Sequence, residues 1–165
     1  MSYSFTWIDS PVGRLKLVAS GKGLAAILWE EDNPKRVRLE PLTEASRAAL
    51  PPVLQATARQ LEEYFAGKRK AFSLAFDPVG TPFQRRVWEA LSEIPFGEIR
   101  SYGEIAARIG RPTASRAVGA ANGRNPLSIV VPCHRVIGAS GKLTGFAGGL
   151  RNKEILLSLE GRTLL

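Results

Sequence analysis

Residues 129–137 read Ile-Val-Val-Pro-Cys-His-Arg-Val-Ile, and they contain the only cysteine, Cys133, and the only histidine, His134, of the 165-residue chain. Apolar residues flank the pair on both sides, which predicts a buried extended segment that reaches the surface at the Pro-Cys-His turn. A thiol beside an imidazole at the edge of a core is a candidate nucleophile, because a base can generate the reactive thiolate. The alternative interpretation is an inert buried cysteine next to a structural histidine.

The composition is that of a folded soluble protein, with 44% hydrophobic residues. No apolar run approaches the ~18 residues of a membrane span, and the N-terminus lacks the pattern of a signal peptide. A single cysteine excludes an intramolecular disulfide and a multi-cysteine zinc site. We therefore expect no metal and a reducing, cytoplasmic location (nucleoid-associated, or nuclear in a eukaryote).

Positive charge is concentrated in the second half of the chain. The net charge is +8, and residues 97–153 contain nine basic and two acidic residues, a net charge of +7. This excess favours a polyanionic partner, nucleic acid above all. The alternative is a basic surface that only keeps the protein soluble.

The sequence pattern of residues 1–76 predicts a scaffold domain. Alternating apolar residues between turns predict three antiparallel strands within residues 3–30, and the charged, proline-containing residues 30–48 predict a loop. A helix follows with Leu54, Ala58, Leu61 and Phe65 on its buried face. Residues 71–76 are a further candidate strand, and residues 77–80 a linker to a second domain over residues 81–165.

Two capping boxes, Thr81–Gln84 and Ser101–Glu104, predict the starts of the first two helices of the second domain. A third helix is predicted from about Thr113, with Ala114, Ala117, Val118 and Ala121 as its apolar face. Two short helices joined by a glycine-containing turn form a helix-turn-helix pattern.

The outer face of the third helix carries Arg116 among the small residues Gly119, Ala120 and Gly123. Such a smooth face can approach nucleic acid closely and insert one long side chain into a groove or the base stack. The alternative is a small-residue face packed on another helix, with Arg116 at its edge.

Three further features surround the Cys-His pair. Asn125, before a proline, predicts a tight turn held by its side chain. Residues 138–142 predict a hairpin-like loop, and residues 145–149 surround the ring of Phe146 with small residues. A final helix over residues 152–159 ends at Glu160, where a carboxylate is unfavourable without a partner; His134 is the predicted partner.

Together these residues resemble the O6-alkylguanine-DNA alkyltransferase family. The resemblance is carried by Pro132-Cys133-His134-Arg135-Val136 and, in chain order, by Thr81–Gln84, Ser101–Gly103, Ser115–Gly119, Asn125-Pro126, Gly148-Gly149 and Leu159–Gly161. It covers residues 81–162, and the N-terminal part matches only in layout. It implies an α+β fold: a small antiparallel, ribonuclease H-like sheet with a packed helix, then a winged-helix or helix-turn-helix domain that carries the cysteine.

The resemblance also implies roles for individual residues. Cys133 would accept the alkyl group, His134 would act as its base through a bridging water, and Glu160 would orient the imidazole. Asn125 would hold the turn, and Tyr102 would help rotate the nucleotide and protonate the leaving guanine. The implied DNA-binding residues are Arg116, which fills the gap in the base stack, and Ser115, Gly119, Ala120, Arg124 and Tyr102; the implied base pocket comprises Val136, Phe146, Ala147 and Gly148.

The implied activity is repair of double-stranded DNA by a single, irreversible transfer of an alkyl group from O6-alkylguanine, or O4-alkylthymine, to Cys133. The protein would act from the minor groove on a flipped-out base, without a cofactor, and self-association along DNA stays open. Phe146, Ala147 and Ser128 stand where members of the family often have tyrosine, serine and proline. We expect these departures to leave the activity intact and to bear on the range of alkyl groups and on inhibitor sensitivity.

Three other functions fit parts of the pattern. A winged-helix protein that binds DNA or senses alkyl lesions would not need Cys133. A cysteine hydrolase would use Cys133, His134 and Glu160, but adjacent Cys and His are poorly placed for a direct dyad. A thiol redox sensor usually needs a second, resolving cysteine.

Overall fold

The computed structural model describes residues 2–138 and 145–162, and the chain divides into two compact units, Met1–Val79 and Gly80–Leu165. The first unit contains β1 (Tyr3–Ile8), β2 (Leu15–Ala19), β3 (Leu24–Trp29), β4 (Leu42–Glu44) and α1 (Pro52–Phe65). The second contains α2 (Pro82–Ser92), β5 (Arg100–Ser101), α3 (Tyr102–Arg108), α4 (Ser115–Gly123), a 3-10 turn (Cys133–Arg135), β6 (Val136–Ile137) and α5 (Leu150–Leu159). Among the described residues, no helix is long and apolar enough to cross a membrane.

The sheet of the first unit is mixed, with the strand order β3-β2-β1-β4. Because β2 pairs antiparallel with both β1 and β3, the predicted meander is confirmed. However, β4 runs parallel to β1, so the prediction of a purely antiparallel sheet, with residues 30–48 as a loop, is wrong at this edge. All three residues of β4 are exposed, and an exposed three-residue strand leaves no alternation in the sequence.

Residues 71–76 do not form the predicted strand, and their only pairing is an isolated bridge between Leu24 and Phe76. The side chain of Gln60 holds the backbone at Ser73 instead: Gln60 Nε2 donates to Ser73 O (3.1 Å), and Ser73 N donates to Gln60 Oε1 (2.9 Å). A side-chain amide that satisfies both backbone groups takes the place of a neighbouring strand.

Helix α1 packs against β1, β2 and β3. It buries Leu54 and Leu61 as predicted, but it buries Tyr64 in place of Phe65, and Ala58 is only partly buried. The predicted stripe is therefore right at Leu54 and Leu61 and displaced by one residue at its C-terminal end.

Both predicted capping boxes of the second unit are confirmed. Gln84 N donates to Thr81 Oγ1 (3.1 Å) while Thr81 N donates to Gln84 Oε1 (2.9 Å), and Ser101 and Glu104 exchange the same two bonds at 3.1 Å each. Helix α5 begins at Leu150, two residues before the predicted start.

Helices α2, α3 and α4 pack on one another, so the predicted helix-turn-helix pair is present as α3 and α4. Helix α4 begins at Ser115 rather than near Thr113, and Ala117 is exposed rather than part of the apolar face. Trp88 on α2 is hydrogen-bonded to α4, because its indole Nε1 donates to Ala121 O (2.8 Å) inside the core. Four residues of α4 are exposed: Arg116, Ala117, Ala120 and Gly123.

A substitution at Gly23 tests the packing of the first unit. A Cβ there would lie 2.6 Å from Ala75 O, whereas a Cβ at Gly21 would meet no atom within 4 Å. We expect Gly23→Ala to lower the free energy of unfolding by about 1–3 kcal/mol, and Gly21→Ala to change it by less than about 0.5 kcal/mol. Urea denaturation measures both values, and equal stabilities of the two variants would contradict the predicted close contact.

Candidate active site

The loop before the cysteine is held by Asn125, which is buried. Its Nδ2 donates to Val131 O (2.9 Å), and Leu127 N donates to its Oδ1 (3.0 Å), so one side chain closes the turn from residue 125 to residue 131. Within that turn Ile129 has a φ of 74°, a left-handed conformation that β-branched residues rarely adopt. The predicted contact of Asn125 with nearby backbone is confirmed.

The Cys133–Arg135 segment is a 3-10 turn in a buried stretch, so the predicted burial and turn are confirmed, but the prediction that the chain reaches the surface at this turn is wrong. Arg135 N donates to Pro132 O (3.0 Å), and Cys133 N donates to Val131 O (2.8 Å). Cys133 is 4% exposed and His134 is fully buried. The thiol therefore lies within the core rather than at its edge.

Glu160 is the partner of His134, as predicted, and it binds a second group that the sequence analysis missed. His134 Nε2 donates to Glu160 Oε2 (2.8 Å), while Arg135 donates to both carboxylate oxygens, Nε to Oε1 (2.8 Å) and Nη2 to Oε2 (2.9 Å). Arg135 also donates to Ile94 O (2.7 Å), and Gly97 N donates to Glu160 Oε1 (3.3 Å). This bidentate pair offsets the cost of a carboxylate at the C-terminal end of α5.

The hydrogen bond to Glu160 sets the state of the His134 ring. A carboxylate only accepts, so Nε2 carries the proton, and Nδ1 has no hydrogen-bond partner among the described residues. Burial lowers the pKa of His134 below its ordinary value; Glu160 opposes this shift, and the charges of Arg135 and Lys153 add to it. The imidazole is therefore neutral near pH 7, with a lone pair available to accept a proton.

Lys153 is a second buried cation that sequence reasoning counted only as surface charge. Its side chain is fully buried, and Nζ donates to Val136 O (2.8 Å). The signal was present in the spacing: Lys153 lies three and four residues before the buried Leu156 and Leu157, on the apolar face of α5. Because Lys153 and Arg135 are both buried, neither belongs to the basic surface.

The predicted DNA-facing residues lie on one side of α4 and at the start of α3. Arg116, Ala120 and Arg124 are exposed, Ser115 and Gly119 are partly buried, and a Cβ at Gly119 would lie 3.9 Å from the Tyr102 ring. The Tyr102 ring therefore lies beside α4 at Gly119, at a distance where a methyl group would make an ordinary van der Waals contact.

Of the predicted pocket residues, Val136 is fully buried, Phe146 and Gly148 are partly buried, and Ala147 is exposed. Lys153 connects the first two: its Nζ binds Val136 O and lies 5.8 Å from the centre of the Phe146 ring. The predicted loop over residues 138–142 lies, apart from Gly138, outside the described residues. Within residues 2–138 and 145–162, no cluster of three or more His, Cys, Asp or Glu side chains could hold a metal ion.

Comparison with known proteins gives the family. Residues 82–162 match the DNA binding domain of 6-O-methylguanine DNA methyltransferase, and residues 1–78 match its ribonuclease-like domain. The methylated-DNA–protein-cysteine methyltransferase of Methanosarcina acetivorans is 50% identical over 153 residues, which cover 93% of this chain and 95% of the relative. The protein of that name from Mycobacterium tuberculosis H37Rv is 51% identical over 155 residues, 93% of this chain and 89% of the relative.

A solved structure agrees with these relatives. The crystal structure of Mycobacterium tuberculosis OGT in complex with DNA has a TM-score of 0.84 and 48% sequence identity, and the match covers 97% of this chain and 92% of that one. The α+β fold with a ribonuclease-like first part and a DNA-binding second part is thereby confirmed. The chain belongs to the 6-O-methylguanine DNA methyltransferase family, the family that its sequence motifs resemble.

The lowered pKa of His134 predicts how stability depends on pH. Below about pH 6.5 the unfolded chain protonates its histidine while the folded chain does not, so the free energy of unfolding falls as the pH falls, by up to about 1.4 kcal/mol per pH unit. The loss ends once the pH passes the lowered folded pKa. Because His134 is the only histidine, His134→Gln should remove this slope; urea denaturation between about pH 5.5 and pH 7.5 measures it, and an unchanged slope in the variant would contradict the assignment.

Proposed function

We propose that the protein repairs alkylated DNA directly, by moving a methyl or larger alkyl group from the O6 atom of guanine to Cys133. The observation that carries this proposal is a buried thiol, Cys133, followed in the chain by the neutral imidazole of His134. The Nε2–H of that imidazole donates to Glu160, whose carboxylate is held by Arg135. That arrangement leaves one basic nitrogen, on the residue next to the cysteine in the chain, inside the domain that matches a DNA-binding family. O4-alkylthymine presents the same alkyl–oxygen bond and is proposed as a second substrate.

The reaction needs only side chains of this chain and water. His134 takes the thiol proton through a water molecule and releases it to solvent, and the sulfur attacks the alkyl carbon. The carbon–O6 bond breaks as the sulfur–carbon bond forms, and its electron pair stays on the base. Tyr102 donates a proton to the leaving guanine and regains one from solvent. A thioether is a very poor leaving group, so the product persists and each molecule reacts once.

The surface of α4 supports a proposal for how the base reaches the sulfur. An alkylated base inside a duplex is out of reach and must be flipped out, which costs a few kcal/mol. Helix α4 offers small residues and one exposed arginine, Arg116, which suits close approach in the minor groove and insertion into the gap left by the base. Ser115, Gly119, Ala120 and Arg124 would contact the strand backbone, and Val136, Phe146, Ala147 and Gly148 would wall the pocket.

Mass spectrometry of the intact protein tests the transfer. After mixing with a duplex that contains one O6-methylguanine, we expect the mass to rise by one methyl group in place of hydrogen, mapped to Cys133. Cys133→Ser should show no gain, because a serine hydroxyl is not ionised by a neutral imidazole. Tight binding to the lesion without a mass gain would instead establish a lesion sensor. A protein that shows no binding preference for the lesion and no mass gain would contradict the repair function.

Substitution of Arg116 tests the proposed mode of DNA binding. We expect Arg116→Ala to slow transfer from the duplex by about tenfold or more, because part of the flipping cost is no longer offset. Transfer from the free base O6-methylguanine, which needs no flipping, should stay unchanged, and single-turnover kinetics measure both rates.

Arg111→Ala is the matched control, since it removes one exposed positive charge before α4 and should cause only a modest, salt-dependent loss of affinity.

A ligand that fills the minor groove should block the reaction, and one that fills the major groove should not; the opposite result would contradict the proposed docking. The number of molecules bound per duplex in the same titration tests the further proposal that copies bind side by side along DNA.

A further inference from the structure

Lys153 is the second cation buried near Cys133, and it differs from Arg135 in having no carboxylate beside it. Its side chain is fully buried, and Nζ donates to Val136 O (2.8 Å). Across residues 2–138 and 145–162, no Asp or Glu forms an ion pair with it. A buried ammonium without a counter-charge is unfavourable, so a negative charge nearby would stabilise it.

Cys133 is the group placed to supply that charge. Helix α5, which carries Lys153, packs directly against the 3-10 turn that carries the thiol. Burial lowers the pKa of Lys153, and the Cys133 side chain opposes this shift, so the sulfur lies within electrostatic reach of the ammonium. The strength of this interaction rises as water is excluded, and both groups are buried.

Of the buried charged groups near the turn, Lys153 is the one that forms no ion pair among the described residues. Besides Cys133, the buried charged or titratable side chains of the turn, of α5 and of the residue that ends α5 are His134, Arg135, Lys153 and Glu160. The charged side chains of α2, which also contacts the turn, are exposed: Arg85, Arg86 and Glu89. Glu160 and Arg135 neutralise each other in a bidentate pair, which leaves Lys153 and His134.

His134 is a poor counter-charge for a thiolate. Burial lowers its pKa, and the neighbouring positive charges of Arg135 and Lys153 lower it further against the effect of Glu160. A proton retained on the ring would add a third positive charge to a buried site. Its ring nitrogen can accept a proton and release it, but retention is disfavoured.

We propose that the ammonium of Lys153 is the counter-charge that stabilises the Cys133 thiolate, and that His134 passes the thiol proton to solvent instead of keeping it. This inference rests on the proposed transfer to Cys133 and specifies how its nucleophile is formed. The S–H bond breaks and its proton leaves through His134 to water. The sulfur–carbon bond then forms as the carbon–O6 bond breaks, and guanine takes up a proton from Tyr102, which regains one from water. Lys153 acts through the sulfur and is therefore a positioning residue.

Thiol alkylation by iodoacetamide as a function of pH tests this pair without DNA. We expect Lys153→Met, which keeps the length of the side chain and removes its charge, to slow alkylation at neutral pH by about tenfold or more, because one unit in the thiol pKa changes the thiolate fraction tenfold. At high pH, where the thiol of both proteins is ionised, the two rates should converge. Arg151→Met removes an exposed charge from the same helix and should leave the profile unchanged.

A folded Lys153→Met protein, checked by circular dichroism, with the profile of the unsubstituted chain would overturn the proposal. A normal alkylation profile without methyl transfer from DNA would count against the proposed function alone, because iodoacetamide requires neither base flipping nor the pocket.

The reciprocal measurement needs no change at Lys153 and covers the case in which Lys153→Met does not fold. We expect the pKa of the Lys153 amine, followed by nitrogen NMR of the labelled side chain, to be lower in Cys133→Ser than in the unsubstituted protein. Linkage requires each member of an ion pair to stabilise the charge of the other. Identical titration of the amine in the two proteins would also overturn the proposal.

Discussion

The bidentate ion pair between Arg135 and Glu160 is the interaction on which the site depends. It joins the 3-10 turn to the end of α5, and its remaining hydrogen bonds extend to Ile94 and Gly97 after α2. Both side chains are buried, so their desolvation is offset only while each keeps its partner. Loss of either one would leave a buried charge and release the group that orients His134.

That pair also determines what the remaining ionisable groups can do. With its charge neutralised by Arg135, Glu160 holds the His134 ring through Nε2 without drawing a second proton onto it. The ring stays neutral and can act as a base. Without the guanidinium of Arg135, the Glu160 carboxylate would favour the protonated imidazolium of His134. His134 would then have no free basic nitrogen near neutral pH.

The basic residues of the second unit fall into two groups, one exposed and one buried. Arg116 and Arg124 are exposed on and beside α4, where they can meet phosphates or bases. Arg135 and Lys153 come from the same basic half of the sequence, yet both are buried and act on the groups around the thiol. The net charge of residues 97–153 therefore indicated the kind of partner correctly. It overstated the charge available at the surface, because two of these basic residues are buried.

The sequence by itself determined the features that depend on neighbouring residues: both capping boxes, the three-strand meander, the turn at Asn125 and the presence of the Cys-His pair. It also indicated that Glu160 needs a partner, because the helix dipole makes a carboxylate there unfavourable. Only the tertiary structure decided the parallel edge strand, the inward 3-10 turn at Cys133 and the burial of Arg135 and Lys153. These features depend on contacts between segments far apart in the chain, and neither local propensity nor hydrophobic period carries information about such contacts.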